Sequence, residues 1–211
     1  MLDKILSFFN LNTKKTNDNT SKTVEEQPQV DTKEEMRKAI DFRLSRIKPE
    51  PIIDNPDGKK CIIIVDDVEY TEILYRGDLE ILKQKYGNDF LNDYKIVWCL
   101  GVDAGYIAYD YAVNKKNKVD LGILDITLGH SLLTENGRIA VDGIDIGMFI
   151  TETNPDFLFL LCTAHTCDKT NQIISKYMKK TEKYFNKTLE SLYLNKNDRT
   201  PESFYNLIVK I

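Results

Sequence analysis

The chain has 211 residues, 42% hydrophobic and 29% charged, which suits one ordinary domain with appendages and excludes fibrous classes. Its 29 basic residues against 33 acidic ones leave a net charge of −4, a field that repels nucleic-acid phosphates, so no nucleic-acid partner is expected. The longest apolar runs, such as residues 157–162, fall far short of the roughly 20 residues that cross a bilayer, and the four cysteines, Cys61, Cys99, Cys162 and Cys167, show no paired spacing, which points to reduced thiols in a cytoplasmic protein.

Residues 1–12 place Leu2, Ile5, Leu6 and Phe9 at helical spacing, with Phe8 close by, and predict a short amphipathic helix. They lack the apolar core and small-residue cleavage site of a secretory signal. Contact with a membrane surface through residues 1–11 is a weak expectation, because stable anchoring takes two signals and only Lys14-Lys15 stand near as a basic pair. Residues 13–32 contain almost no large apolar side chain and predict a flexible linker. A helical extension follows over 33–58, with Met36, Ile40, Leu44 and Ile47 along one stripe and Lys48-Pro49-Glu50-Pro51 ending it. That stripe needs an apolar partner.

From residue 59 the pattern alternates. Strands are predicted over 61–65, 95–100, 121–124, 157–162 and 191–194, most of them continuous apolar runs suited to burial on both faces. Helices are predicted over 70–86, 104–115, 143–153, 169–189 and 201–209, the third closed by Asn154-Pro155 and the last capped by Thr200 with Pro201 in its first turn. The fold class is therefore α/β over residues 59–211: a doubly wound, five-stranded parallel sheet with helices on both faces, preceded by the helical and disordered extension.

In open α/β sheets the ligand site lies outside the carboxyl ends of the strands. There this sequence places Asp66-Asp67, Asp125, Thr163 and Asn195-Lys196. Carboxylates converging in one crevice repel one another unless a cation joins them, and Mg²⁺, a hard ion that takes oxygen ligands, is the natural guest. Lys196 adds a point charge for a phosphate oxygen and Thr163 a hydroxyl donor, which together make a phosphoryl-transfer kit. His130 and His165 have no second His or Cys at ligand spacing and are expected in solvated loops.

The runs Cys61-Ile-Ile-Ile-Val-Asp66-Asp67, Leu121-Gly-Ile-Leu-Asp125, Asp142-Gly143, Leu160-Leu-Cys-Thr163-Ala164 and Tyr193-Leu-Asn-Lys196, in this order, resemble the receiver domain of bacterial response regulators. The resemblance covers about residues 59–211 and implies a flavodoxin-like fold of receiver type. It implies Asp125 as phosphoacceptor and Asp66, Asp67, Asp125 and the Thr127 backbone carbonyl around Mg²⁺. Thr163 would be the switch hydroxyl, Lys196 the phosphoryl contact, and Tyr193 the aromatic residue that turns inward on activation. The implied protein is a stand-alone phosphoacceptor of a two-component system or phosphorelay. It is altered stoichiometrically rather than turning over a substrate, its donor is a histidine kinase or phosphotransfer protein, and its output is contact with a downstream protein.

Two departures stand out. Asn197 follows Lys196 where the family usually has proline, and the stretch 126–141 is longer than the family's short turn, which predicts a lid or a partner-binding loop. The apolar stripe Ile173, Ile174, Tyr177, Met178, Thr181, Tyr184, Phe185 and Leu189 is wide enough to add a homodimer contact. The competing readings are a pseudo-receiver scaffold that never carries phosphate and, further off, a phosphatase of the haloacid-dehalogenase type. For the latter, Asp125-Ile-Thr127 lacks the second aspartate such enzymes use as general acid.

Overall fold

Continuous apolar strands need cover on both sides, and the sheet has it. The computed structural model describes residues 32–47, 58–134, 137–164 and 172–211. The predicted helix of residues 1–12 and almost all of the predicted linker lie outside the described residues, as do His165 and Cys167. The strands β1 (Lys60–Asp66), β2 (Tyr94–Leu100), β3 (Leu121–Asp125), β6 (Leu158–Thr163) and β7 (Tyr193–Asn195) form one parallel sheet in the order β2-β1-β3-β6-β7. This is the doubly wound order of flavodoxin-like folds, with its switch between β1 and β3.

Successive residues of β1 face opposite sides. Cys61, Ile63 and Val65 join one buried cluster, with residues of α3 (Ala104–Tyr109), α4 (Gly143–Thr153), α5 (Gln172–Phe185) and the single turn α6 (Leu189–Leu192). Ile62 and Ile64 join the other, with Tyr75, Leu79 and Leu82 of α2 (Thr71–Tyr86) and Phe204 and Ile208 of α7 (Pro201–Ile208). Cys61, Cys99 and Cys162 are buried free thiols, as the unpaired spacing predicts. Among the described residues, no helix is long and apolar enough to cross a membrane.

The stripe on α1 (Thr32–Ile47) finds its partner inside the chain. Met36, Ile40 and Leu44 are buried in the same cluster as α3 and α4, each worth about 1.5–3 kcal/mol relative to exposure. The polar flank adds ion pairs of Lys33 and Arg37 with Glu152 at 2.7 and 2.5 Å and of Arg43 with Asp103 at 2.9 Å. The Arg37 guanidinium also stands 5.2 Å from the centre of the Phe149 ring. Helix α1 is thus a third layer over α3 and α4, and Thr32–Ile211 form one compact unit.

Three segments differ from the sequence expectation. The stretch 126–141 contains an antiparallel pair, β4 (His130–Thr134) with β5 (Gly137–Val141), rather than a plain loop. The helix predicted over 169–189 ends at Phe185, because Asn186 adopts φ 50°, the left-handed conformation that asparagine tolerates at a helix end, while its N–H still bonds the Glu182 carbonyl at 3.0 Å. The strand predicted over 191–194 begins two residues later. Leu189 and Leu192 are buried one helical turn apart, and that packing holds the segment before Tyr193 as α6. On α5 the residues Ile174, Tyr177 and Thr181 are buried within the chain.

Candidate phosphoacceptor and cation site

Asp66 and Asp125 are the last residues of the neighbouring central strands β1 and β3, one position beyond the paired Val65 and Leu124. Each carboxylate is satisfied in the same way. Asp66 Oδ1 accepts from the Val68 N–H at 3.0 Å and Asp125 Oδ1 from the Thr127 N–H at 3.1 Å, the short Asx turns that aspartate makes with its own backbone two residues on. Both Oδ2 atoms accept from one ammonium. Lys196, immediately after β7, reaches Asp66 Oδ2 at 2.7 Å and Asp125 Oδ2 at 2.6 Å. Asp67 completes the group, and oxygens of Asp66, Asp67 and Asp125 lie within 4.8 Å of one another.

Burial sets the electrostatics. It pushes the Asp125 carboxyl up to about 6, with Lys196 pulling down against it and Asp66 adding to the rise. Burial, reinforced by Asp66 and opposed by Lys196, also raises Asp67. Burial works to lower Lys196, but Asp125 and Asp66 outweigh it and the ammonium is held above its ordinary value. An oxygen-only, acidic, poorly solvated donor set of this kind fits a hard divalent cation, which relieves repulsion that one ammonium only partly offsets.

The loop after β3 closes over this group. Gly129 has φ 62°, and a Cβ there would stand 3.2 Å from Asp67 Oδ2. Thr127 sits in that loop, and the Tyr177 phenol of α5 interacts with its side chain; burial raises the phenol and this contact draws it back. Thr163 ends β6, buried, in register with Asn195, the residue before Lys196. Tyr193 opens β7 opposite Leu161, half-buried against the cluster beneath α3, α4 and α5. The structure therefore brings Asp66, Asp67, Asp125 and Lys196 into one constellation, with Thr127 in the turn that follows Asp125, while Thr163 ends the neighbouring strand and Tyr193 lies two positions back from the strand ends against the apolar cluster.

Two features near the site escape sequence reasoning. Lys180 of α5 pairs with Asp142 at 2.7 Å and with Asp145, both buried at the start of α4. Asp142 caps that helix, accepting from the N–H groups of Ile144 and Asp145 at 3.0 and 3.2 Å. Burial first, then Asp142, pushes the Asp145 carboxyl up to about 7 against the pull of Lys180. The second feature is Arg199, half-buried against Asp78 and Tyr75.

Gly143 fixes the distance between α4 and the site. A Cβ at this position would fall 2.0 Å from the Asp125 backbone oxygen, with little room for either backbone to give. Gly143→Ala is expected to destabilise the protein by about 3 kcal/mol, the upper range for overpacking. A lower midpoint in urea would show it, together with a displaced Asp125 amide resonance. An unchanged midpoint would mean that α4 is free to slide.

No family model matches the chain, and no curated protein matches it. Eight chains of solved structures are similar, two of them as follows. One, a yeast Spc42 trimeric coiled coil fused to another structure, is 17% identical over 72% of this chain and 76% of that one, with a TM-score of 0.44. The other, a BeF3-activated DrrB receiver domain, is 17% identical over 72% of this chain and 96% of that one, with a TM-score of 0.38.

Proposed function

We propose that the chain is a phosphoacceptor of receiver type, which takes a phosphoryl group on Asp125 in the presence of Mg²⁺ and signals by protein contact. The observation that carries this reading is the Lys196 ammonium bridging Asp125 and Asp66, with Asp67 in reach of both. A carboxylate that is to attack phosphorus needs positive charge beside it, on the side where the phosphoryl oxygens will stand.

With a phosphohistidine or phosphoramidate donor, a bond forms from an Asp125 oxygen to phosphorus as the donor's P–N bond breaks. The nitrogen keeps the electron pair and takes up a proton. Lys196 gives up part of its contact with the carboxylates to meet a phosphoryl oxygen, and Thr163 donates its hydroxyl to another. Asp66, Asp67 and Asp125, with the Thr127 carbonyl, would hold the Mg²⁺ ion. Bound there, the ion supplies positive charge to the phosphoryl oxygens. Tyr193, half-buried beside β6, then turns into the space that Thr163 vacates and alters the surface offered to a downstream protein.

The test is intact mass after incubation with a small phosphodonor. One added phosphoryl group, seen with Mg²⁺ and lost with a chelator, is the expected result. No addition under conditions that modify a control receiver would instead favour a phosphorylation-independent scaffold.

A further inference from the structure

The segment that presents Lys196 has little support of its own. β7 contributes three residues at the edge of the sheet and pairs on one side, with β6. The single 3-10 turn Lys196–Asp198 is closed by the Asn195 side chain, which accepts from the Asn197 N–H at 2.9 Å. Asn197 and Asp198 are exposed and add nothing to the core. Nothing in that turn fixes a long, rotamer-rich lysine between two carboxylates.

The next residue is of the opposite kind. The Arg199 side chain is 11% exposed; its Nε stands 2.8 Å from Asp78 Oδ2, and its guanidinium carbon lies 4.4 Å from the centre of the Tyr75 ring. Asp78 and Tyr75 both belong to α2, the helix that begins four residues after Asp67. Tyr75 is itself locked, edge-on to Phe204 at 5.5 Å. It also contacts Cys162, the residue before Thr163. A planar guanidinium held by a carboxylate on one side and a ring on the other is a rigid fixture.

A plain α2–α7 fastener would be redundant here. The far end of α2 already meets α7 through the stacked rings of Tyr86 and Tyr205, 4.1 Å apart, and the Lys85–Glu202 pair at 2.7 Å. Arg199 lies instead in the connection between Lys196 and Pro201, ahead of α7.

We infer that Arg199 is a positioning residue for Lys196: clamped between Asp78 and Tyr75, it ties the Lys196 turn to α2 and keeps the ammonium bridged between Asp66 and Asp125. That this bridge serves phosphoryl transfer rests on the function proposed above; that Arg199 holds it does not.

The experiment uses the full chain labelled with ¹⁵N-lysine, without Mg²⁺, and follows the ammonium resonance of Lys196, assigned by its loss in Lys196→Arg. In Arg199→Gln this signal is expected to move most of the way to the position of the exposed lysines. Phosphoryl uptake from a small donor should slow about tenfold or more, the scale of a misplaced charged group. Arg199→Lys, which keeps the charge but not the stack, should recover part of both. Tyr205→Ala loosens the same helix pair elsewhere and should lower the melting temperature while leaving the Lys196 signal in place. If Arg199→Gln does not fold, Asp78→Asn removes the partner and should shift the signal in the same direction. An unmoved Lys196 signal in the Arg199 and Asp78 variants, or an equal shift in Tyr205→Ala, would overturn the inference. An Arg199-dependent Lys196 signal in a wild-type protein that takes up no phosphoryl group would uphold the positioning role and defeat the proposed function.

Discussion

Asp125→Asn is expected to take up no phosphoryl group and yet to resist unfolding better than the wild type at neutral pH. The first half follows from chemistry, since an amide is no nucleophile toward phosphorus. The second follows from burial. The Asp125 carboxyl is pushed from its ordinary 3.8 to about 6 in the folded protein, mainly by loss of water and despite Lys196. The folded state therefore holds the Asp125 proton more tightly than the unfolded state does. The resulting instability is absent below about pH 4, grows as pH rises and is complete somewhat above pH 6. Near pH 7.5 the ionised carboxylate costs about 2 kcal/mol, at 1.4 kcal/mol for each unit of displacement with some allowance for relaxation. Urea unfolding of both proteins in a chelator at pH 4.5 and 7.5 measures this directly. Wild-type stability should decline between the two values more steeply than that of the variant. An Asp125→Asn protein that is less stable at pH 7.5, or one that still gains phosphate, would defeat the assignment of this side chain.

Lys196→Met should have the opposite sign. It leaves Asp66 and Asp125, 1% and 5% exposed, facing each other without their shared cation. Removing one partner of a buried ion pair costs about 3–5 kcal/mol, and the part-exposed Lys196 argues for the lower end of that range. The variant is also expected to respond more strongly to Mg²⁺ than the wild type. With the ammonium gone, the site has more negative charge to offer, and a ligand that binds only the folded state stabilises it by mass action. Melting curves across a Mg²⁺ titration would show the difference. Equal stabilisation of the two proteins would mean that the cation, if it binds, does so away from these carboxylates.

The polar ends of the strands could be read in the sequence because topology does the assembling. Once 61–65 and 121–124 are parallel neighbours, Asp66 and Asp125 must lie side by side whatever else the chain does. Helix α4 was equally legible, with Asp142-Gly143 ahead of it and Asn154-Pro155 closing it, and its observed bounds, Gly143–Thr153, agree. The length of 126–141 says nothing of the hairpin β4–β5, whose sequence signal is the hairpin dipeptide Asn136-Gly137. The break after Phe185 was hidden because Tyr184, Phe185 and Leu189 continue the helical spacing across it; periodicity reports which side chains are buried, not which backbone angle joins them. Lys180 and Arg199 were invisible for a related reason. A lysine or arginine reads as a solvated residue until its partner is known, and Lys180 meets carboxylates 35 and 38 positions away.

Helix α1 supplies none of the charged groups of the site, yet its Met36, Ile40 and Leu44 lie against the cluster that contains Tyr106, Tyr109 and Phe149. A chain started at Gly58 would keep the whole sheet and every candidate ligand while laying bare the apolar ground those three side chains cover. Contiguous exposed surface of this kind promotes association. The apolar cover and the candidate site thus lie in separate stretches of this polypeptide, and a shortened version judged inactive by its tendency to precipitate would say nothing about Asp125.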